Sequence, residues 1–235
     1  IPALTDQGIA VTNTPDVLND ATAEIAMLLM LGAARRAVEG DRTVRTGQWD
    51  FWSPNFMVGK QVTSARLGIV GMGRVGRAFA EKARGFGMEI HYHNRGRLPE
   101  EAEFGATFHP GIETLLPVSD FLSLHCPATP DTIGLMNADR LTMLPKGAVL
   151  VNTARGALVN EAALMDALDQ GHLAAAGLDC FDTEPGGNPG LAKFDNVFML
   201  PHIGSATVKT RDAMGFRALD NLDAFFRGET PGELL

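Results

Sequence analysis

One six-residue stretch constrains the fold of this chain more than any other. Gly71-Met72-Gly73-Arg74-Val75-Gly76 has the spacing G-x-G-x-x-G, a pattern that on its own is common. Here it follows residues 67–70, a short apolar run that reads as a buried strand. It opens residues 74–86, where Val75, Phe79, Ala83 and Phe86 fall on one helical stripe ahead of Gly87. A strand, a glycine turn and a helix in that order turn the pattern into a dinucleotide fingerprint. Gly71 permits the tight turn, Gly73 lets backbone amides approach a pyrophosphate, and Gly76 lets the helix pack closely on the strand. Arg74 and Val75 open the helix, whose free N–H groups and partial positive charge suit an anion, so both join the expected cofactor site.

The rest of the chain continues that unit. Residues 88–93 alternate as a second strand, and further apolar runs lie at 121–125, 148–152, 174–178 and 197–200. Helical stretches at 138–144 and 161–170 separate them. Crossover helices require parallel strands covered on both faces, which predicts an α/β fold with a doubly wound parallel sheet of Rossmann type. Upstream, Thr14-Pro15 reads as a helix start with Pro in the first helical position. The helix expected over 16–36 is apolar on nearly every face, which predicts cover from its own domain on one side and a second subunit on the other, or a central core helix. Residues 47–59 carry Trp49, Phe51, Trp52, Pro54 and Phe56 with no clear period, and so much aromatic surface in a loop needs a docking place. A long helix over about 206–226 closes the chain.

Composition removes several classes. Twenty Lys and Arg against 28 Asp and Glu leave a net charge of −8, which disfavours a nucleic-acid partner. Two cysteines, Cys126 and Cys180, are too few for a disulfide framework, so a reducing, cytoplasmic setting is expected. The longest apolar run, 25–34, is well short of the roughly 20 residues that span a bilayer. His91 and His93 share one face of a strand but lack a third ligand nearby in sequence, so no metal site is expected.

The cofactor's identity is legible at the end of the second strand. A loop selective for NAD carries an Asp or Glu about 20 residues past the glycines, accepting hydrogen bonds from the ribose 2′-hydroxyl. This chain reads His93-Asn94-Arg95-Gly96-Arg97 there. A carboxylate would repel a 2′-phosphate, whereas Arg95 and Arg97 can pair with one, which predicts NADPH in preference to NADH.

Ligands of open α/β sheets sit beyond the carboxyl ends of the strands. Arg155, Glu184 and His202 all follow predicted strands and belong at the same edge as the glycine loop. An arginine, a carboxylate and a histidine beside a nicotinamide fit hydride transfer to a carbonyl. Arg155 would hold an anionic substrate and His202 would exchange the proton.

Four stretches together resemble the D-isomer-specific 2-hydroxyacid dehydrogenases. They are residues 71–76, Val151-Asn152-Thr153-Ala154-Arg155-Gly156, Gly177-Leu178-Asp179-Cys180-Phe181-Asp182-Thr183-Glu184-Pro185 and Pro201-His202-Ile203-Gly204-Ser205-Ala206-Thr207. The likeness runs from about Asn13 to the C-terminus. Trp49 and Trp52, with Asn94-Arg95, are most similar to the glyoxylate/hydroxypyruvate reductase branch. The resemblance implies that Arg155 binds the carboxylate of a small 2-oxo acid and polarises its carbonyl, that His202 donates the proton, and that Glu184 hydrogen-bonds the far nitrogen of His202. It also implies that Cys126, Thr153 and Asp179, together with His202, line the nicotinamide pocket, and that Asn94 belongs to the cofactor site. Trp49 would project into a neighbouring subunit's site in a homodimer. A dehydrogenase of a bulkier D-2-hydroxy acid and a cofactor-sensing protein of corepressor type are the alternatives.

At roughly 150 residues per domain, 235 residues allow one large or two small domains. The motifs assign 14–205 to a dinucleotide-binding domain. The resemblance assigns 1–13 and 206–235 to remnants of a second, flavodoxin-like substrate domain, and the opening at Ile1 without Met is expected to reflect a missing N-terminal part of it.

Overall fold

The structure, a computed structural model, describes residues 2–235, so Ile1 of the first expected segment lies outside it. A one-turn helix α1 (Pro2–Thr5) precedes α2 (Asn19–Ala34) and α3 (Ala37–Arg45). Then come β1 (Arg66–Val70), α4 (Arg74–Arg84), β2 (Glu89–His93), α5 (Glu100–Glu103), β3 (Thr107–Phe108), α6 (Ile112–Leu115) and β4 (Phe121–Leu124). The second half holds α7 (Ala138–Met143), β5 (Ala148–Asn152), α8 (Glu161–Asp169), β6 (Leu173–Leu178), β7 (Val197–Met199) and α9 (Val208–Phe226).

The seven strands form one sheet in the order β3-β2-β1-β4-β5-β6-β7, parallel throughout. This is the doubly wound sheet expected. Its direction of winding reverses between β1 and β4, which opens a crevice at their carboxyl ends. Register sets what faces that crevice. Val70 pairs with both His93 and Leu124, Leu124 with Asn152, Asn152 with Leu178, and Leu178 with Met199. The residues that follow these pairs therefore emerge along one edge.

Strand alternation divides the core into two layers. On one face Leu67, Ile69, Val149 and Val151 pack under Leu29 and Met30 of α2 and Phe79 and Ala83 of α4. On the other Val70, Leu122, Leu124 and Leu150 pack under Leu115 of α6, Leu141 of α7 and Leu164 of α8.

The beginning of the chain departs from expectation. The helix predicted over 16–36 spans Asn19–Ala34, and Pro15 lies outside it. Asp16 adopts a left-handed φ of 72°, and its Oδ1 pairs with Arg74 Nε at 2.6 Å, so the chain turns once more before the helix begins. Arg36, also left-handed at φ 55°, separates α2 from α3, a helix the periodicity did not reveal. Of the two readings of α2, the central core helix does not hold. It lies against β5, β6 and α4, while Leu28 on the opposite face is 47% exposed. Trp49, Phe51 and Trp52 are exposed as well, and Phe51 meets Phe56 edge to face at 4.9 Å.

The two ends of the chain pair with each other. Thr12 bridges Leu234 in antiparallel sense, and the Leu235 amide donates to Val11 O at 2.9 Å. Thr207 caps α9, its hydroxyl accepting from the Thr210 amide. Among the described residues no helix is long and apolar enough to cross a membrane.

Candidate active site

The glycine loop is built by close approach. Gly71 has φ 97°, and a Cβ there would lie 2.5 Å from the Cys126 amide nitrogen. A Cβ on Gly76 would lie 2.3 Å from Gly71 O, so α4 can seat on the turn only with glycine at that position. Gly73 is different, because nothing lies within 4 Å of where its Cβ would be. It is the N-cap of α4 with no side-chain cap, which leaves the first-turn amides open towards the crevice. Such a cradle fits the pyrophosphate of a dinucleotide. Asn94 Oδ1 accepts the Met72 amide at 2.7 Å, so the side chain expected at the cofactor also ties the glycine loop to the end of β2.

The two arginines expected beside the ribose part company. Arg95 makes no ion pair among the described residues, whereas Arg97 donates through Nε and Nη2 to Glu103 at 2.8 and 2.9 Å. Hydrogen bonds from Arg97 and from the Tyr92 hydroxyl hold the Glu103 carboxyl down at about 2. Arg97 is thus no free cation, and Arg95 alone remains uncommitted in that loop. Glu103 is the reason, and its helix, α5, gave no signal in the sequence that it would reach back to Arg97. Arg74 is likewise held, by Asp16.

A cleft of about 900 Å³ along the sheet edge brings together Val75, Cys126, Thr153, Arg155, Asp179, Glu184 and His202. Of the other expected site residues, Trp49, Gly71, Gly73, Arg74, Gly76, Asn94, Arg95 and Arg97 do not line it. Glu184 Oε2 lies 2.6 Å from His202 Nδ1. A carboxylate only accepts, so Nδ1–H is the donor and Nε2 is left open. Glu184 Oε1 accepts the Phe181 amide at 2.8 Å. Partial burial works against the Glu184 charge, but the hydrogen bonds from His202 and Phe181 outweigh it and hold the carboxyl below its usual range.

His202 itself sits at a left-handed φ of 53°. Asp179, 1% exposed, secures the turn that follows, its two oxygens accepting the Ile203 amide at 2.8 Å and the Gly204 amide at 2.7 Å. Burial pushes the Asp179 carboxyl up, against the pull of those two amides. Arg155 donates to its neighbour's carbonyl, Ala154 O, and pairs with no carboxylate among the described residues, so its charge is available to an anion. Asn152 shapes the loop that carries it. Its Nδ2 donates to Arg155 O at 2.9 Å and its Oδ1 accepts the Ala154 amide at 3.0 Å. An Asn at a strand end before a turn was a readable signal for that role.

His125 is a second residue that sequence reasoning passed over. It lies at the mouth of β4, with Nε2 2.9 Å from Ser123 Oγ and Nδ1 3.5 Å from Thr153 Oγ1, and burial lowers its imidazole to about 4. Burial raises both thiols, Cys180 to about 12, which keeps them protonated. His91 and His93 gain a neighbour in His109, whose Nε2 lies 3.0 Å from His91 Nδ1. No group of three or more metal-ligating side chains occurs among the described residues.

The edge therefore gathers a dinucleotide cradle, an unpaired guanidinium and a histidine backed by a carboxylate. Residues 27–204 match the profile of the D-isomer specific 2-hydroxyacid dehydrogenase NAD binding domain. The whole chain is 47% identical to a glyoxylate reductase of Pyrococcus horikoshii, covering 72% of it. It is 46% identical to a glycerate dehydrogenase of Hyphomicrobium methylovorum, over 94% of this chain and 70% of that one. A solved NADPH-dependent glyoxylate/hydroxypyruvate reductase of Sinorhizobium meliloti, in complex with NADP and malonate, superposes with a TM-score of 0.91 at 36% identity, over all of this chain and 72% of the other. The chain belongs to the D-isomer-specific 2-hydroxyacid dehydrogenases, oxidoreductases that work with a nicotinamide dinucleotide.

Proposed function

We propose that the protein reduces small 2-oxo acids, glyoxylate and hydroxypyruvate first, to 2-hydroxy acids with NADPH. The observation that carries this reading is the 2.6 Å contact between His202 and Glu184 in the cleft that also holds the unpaired Arg155. Relatives named glyoxylate reductase and glyoxylate/hydroxypyruvate reductase support the substrate class.

When bound, a reduced nicotinamide supplies the hydride. Gly71, Gly73 and Gly76, with Arg74 and Val75 at the start of α4, would hold its pyrophosphate. Arg95 would meet the 2′-phosphate beside Asn94. Cys126, Thr153 and Asp179 would face the nicotinamide, and each Asp179 oxygen keeps a lone pair beyond the amide it already accepts. Arg155 binds the substrate carboxylate and polarises the adjacent carbonyl. As the carbonyl carbon takes the hydride, its oxygen takes the proton from His202 Nε2, giving a secondary alcohol, or a primary one from glyoxylate. Glu184 fixes the tautomer and stabilises the imidazolium that gives up that proton.

The same reading assigns 14–205 to the dinucleotide-binding domain and groups 1–13 with 206–235. The pairing of Thr12 with Leu234 supports that grouping. It also makes the protein a homodimer through the exposed side of α2 and the aromatic loop, with Trp49, 57% exposed, reaching towards the partner's cleft. Sedimentation of the wild type and of a Trp49→Ser, Trp52→Ser variant tests the assembly. NADPH oxidation with a panel of 2-oxo acids tests the activity, and no turnover with any of them would overturn the reading.

A further inference from the structure

Glu184 stands on a segment with little of its own to hold it still. Residues 182–186 are exposed, and Gly186 and Gly187 both have positive φ, at 125° and 68°. Inside the segment the Gly187 amide donates to Thr183 O at 3.0 Å, which closes a small turn without anchoring it to the body of the protein.

The anchor comes from outside. Glu161 is the first residue of α8, where a negative charge suits the helix dipole. It pairs with no cation among the described residues. Its Oε1 accepts the Asp182 amide at 2.9 Å, and its Oε2 accepts Asn188 Nδ2 at 2.8 Å. These contacts fall on either side of Glu184. Asn188 is itself fixed, its Oδ1 accepting the Gly190 amide at 2.8 Å. One carboxylate on a rigid helix therefore grips both stems of the turn that presents Glu184 to His202.

We propose that Glu161 is a positioning residue for the proton-transfer pair. By clasping Asp182 and Asn188 it sets where the Glu184 carboxylate stands, and through Glu184 it sets the orientation of the His202 ring. This inference rests on the reading of His202 as the general acid. The sequence spacing hides the link, since Glu161 lies 23 positions before Glu184 and opens a helix on the far side of the intervening strand β6. A proton donor displaced by about 1 Å costs on the order of 10² in rate.

The test is steady-state kinetics across pH on the full chain, with glyoxylate and NADPH, for wild type, Glu161→Ala, Glu161→Gln and His202→Ala. The expected result for Glu161→Ala is a kcat lower by roughly 10- to 100-fold, with KM for glyoxylate and Kd for NADPH within about twofold. The basic limb of its pH profile should move to lower pH, because a displaced Glu184 stabilises the imidazolium less. The charged groups facing His202 are Glu184 and Asp179, with Arg155 acting on Glu184, and the substitution alters none of them directly. Glu161→Gln keeps one oxygen for the Asp182 amide and should recover part of kcat. A residue that merely stabilised the fold would lower Tm and leave the limb where it was.

If Glu161→Ala does not accumulate as folded protein, Asn188→Ala removes one of the two anchors with α8 untouched, and the same drop in kcat and shift of the limb are expected. An unchanged kcat and limb, with His202→Ala inactive, would overturn the positioning role and leave the acid assignment standing. An active His202→Ala would instead overturn the acid assignment, and the inference with it.

Discussion

His202 Nδ1 and Glu184 Oε2 stand 2.6 Å apart although they lie eighteen positions apart in sequence. The contact joins a residue after β7 to one after β6, so it exists only because neighbouring parallel strands deliver both to the same edge. In the proposed reaction His202 is the general acid, a role worth about 10² to 10⁴ in rate. His202→Ala should lower kcat by at least that factor and leave NADPH binding intact, since none of the glycine-loop contacts involves it. Fluorescence titration with NADPH beside turnover assays checks both halves. Residual activity at a tenth of the wild-type rate would remove His202 from the acid role.

Two glycines five residues or fewer from Gly71 should fail in different ways. A Cβ on Gly76 meets Gly71 O at 2.3 Å, a backbone atom that cannot step aside, so Gly76→Ala should lower Tm and cofactor affinity together. A Cβ on Gly73 meets nothing within 4 Å. Gly73→Ala should fold with an unchanged Tm and still lose NADPH affinity, by about tenfold or more, because the added methyl occupies the approach to the pyrophosphate. Thermal melts and NADPH titrations of both variants separate the two cases. Equal NADPH affinity in wild type and Gly73→Ala would mean that the dinucleotide does not pass over this turn.

Cofactor choice should rest on Arg95 and not on Arg97. Arg95→Ala should reduce kcat/KM for NADPH by about tenfold or more while leaving NADH nearly unaffected, the loss of one charge-assisted contact to a phosphate. Arg97→Ala should act through stability. It strands Glu103, 4% exposed, without its cation and lowers Tm, with the NADPH to NADH ratio changed little. Kinetics with both cofactors decide the matter, and the opposite pattern would return the phosphate to Arg97.

What the sequence revealed of this molecule follows the range of the interactions involved. The strands from β1 onward, apart from two-residue β3, and the glycine turn are visible because hydrophobic period and glycine spacing are local. The three residues of the proposed chemistry were visible because each lies within six residues of a strand's carboxyl end, and the parallel sheet aligns strand ends. The pairing of Arg97 with Glu103 is not legible in the sequence, because the path of the loop into α5 chooses that partner and composition does not report it. The grip of Asp179 on the turn after His202 is hidden in the sequence, because it depends on register between β6 and β7. Asp16, left-handed and paired with Arg74 58 positions away, stands between Pro15 and α2, and no helix-start rule sees a contact at that distance.

His125 gives the stability of the protein a pH dependence of definite sign. Its folded-state value is about 4, below the ordinary 6.5, because burial penalises the charged ring. Between those values the unfolded chain takes up a proton that the folded chain refuses. Stability from this group is therefore fully present above about pH 6.5 and falls as pH drops towards 4, by on the order of 2 kcal/mol. His109, lowered by burial and by the neighbouring His91, adds a contribution of the same sign. Replacing His125 by Asn keeps a neutral polar group near Ser123 Oγ and removes the titration. Urea unfolding at pH 7.5 and pH 5 should show a large loss of stability for the wild type and a visibly smaller one for His125→Asn, with the remainder due to His109 and other groups. If the two proteins lose the same amount between those pH values, His125 is not held neutral in the folded state.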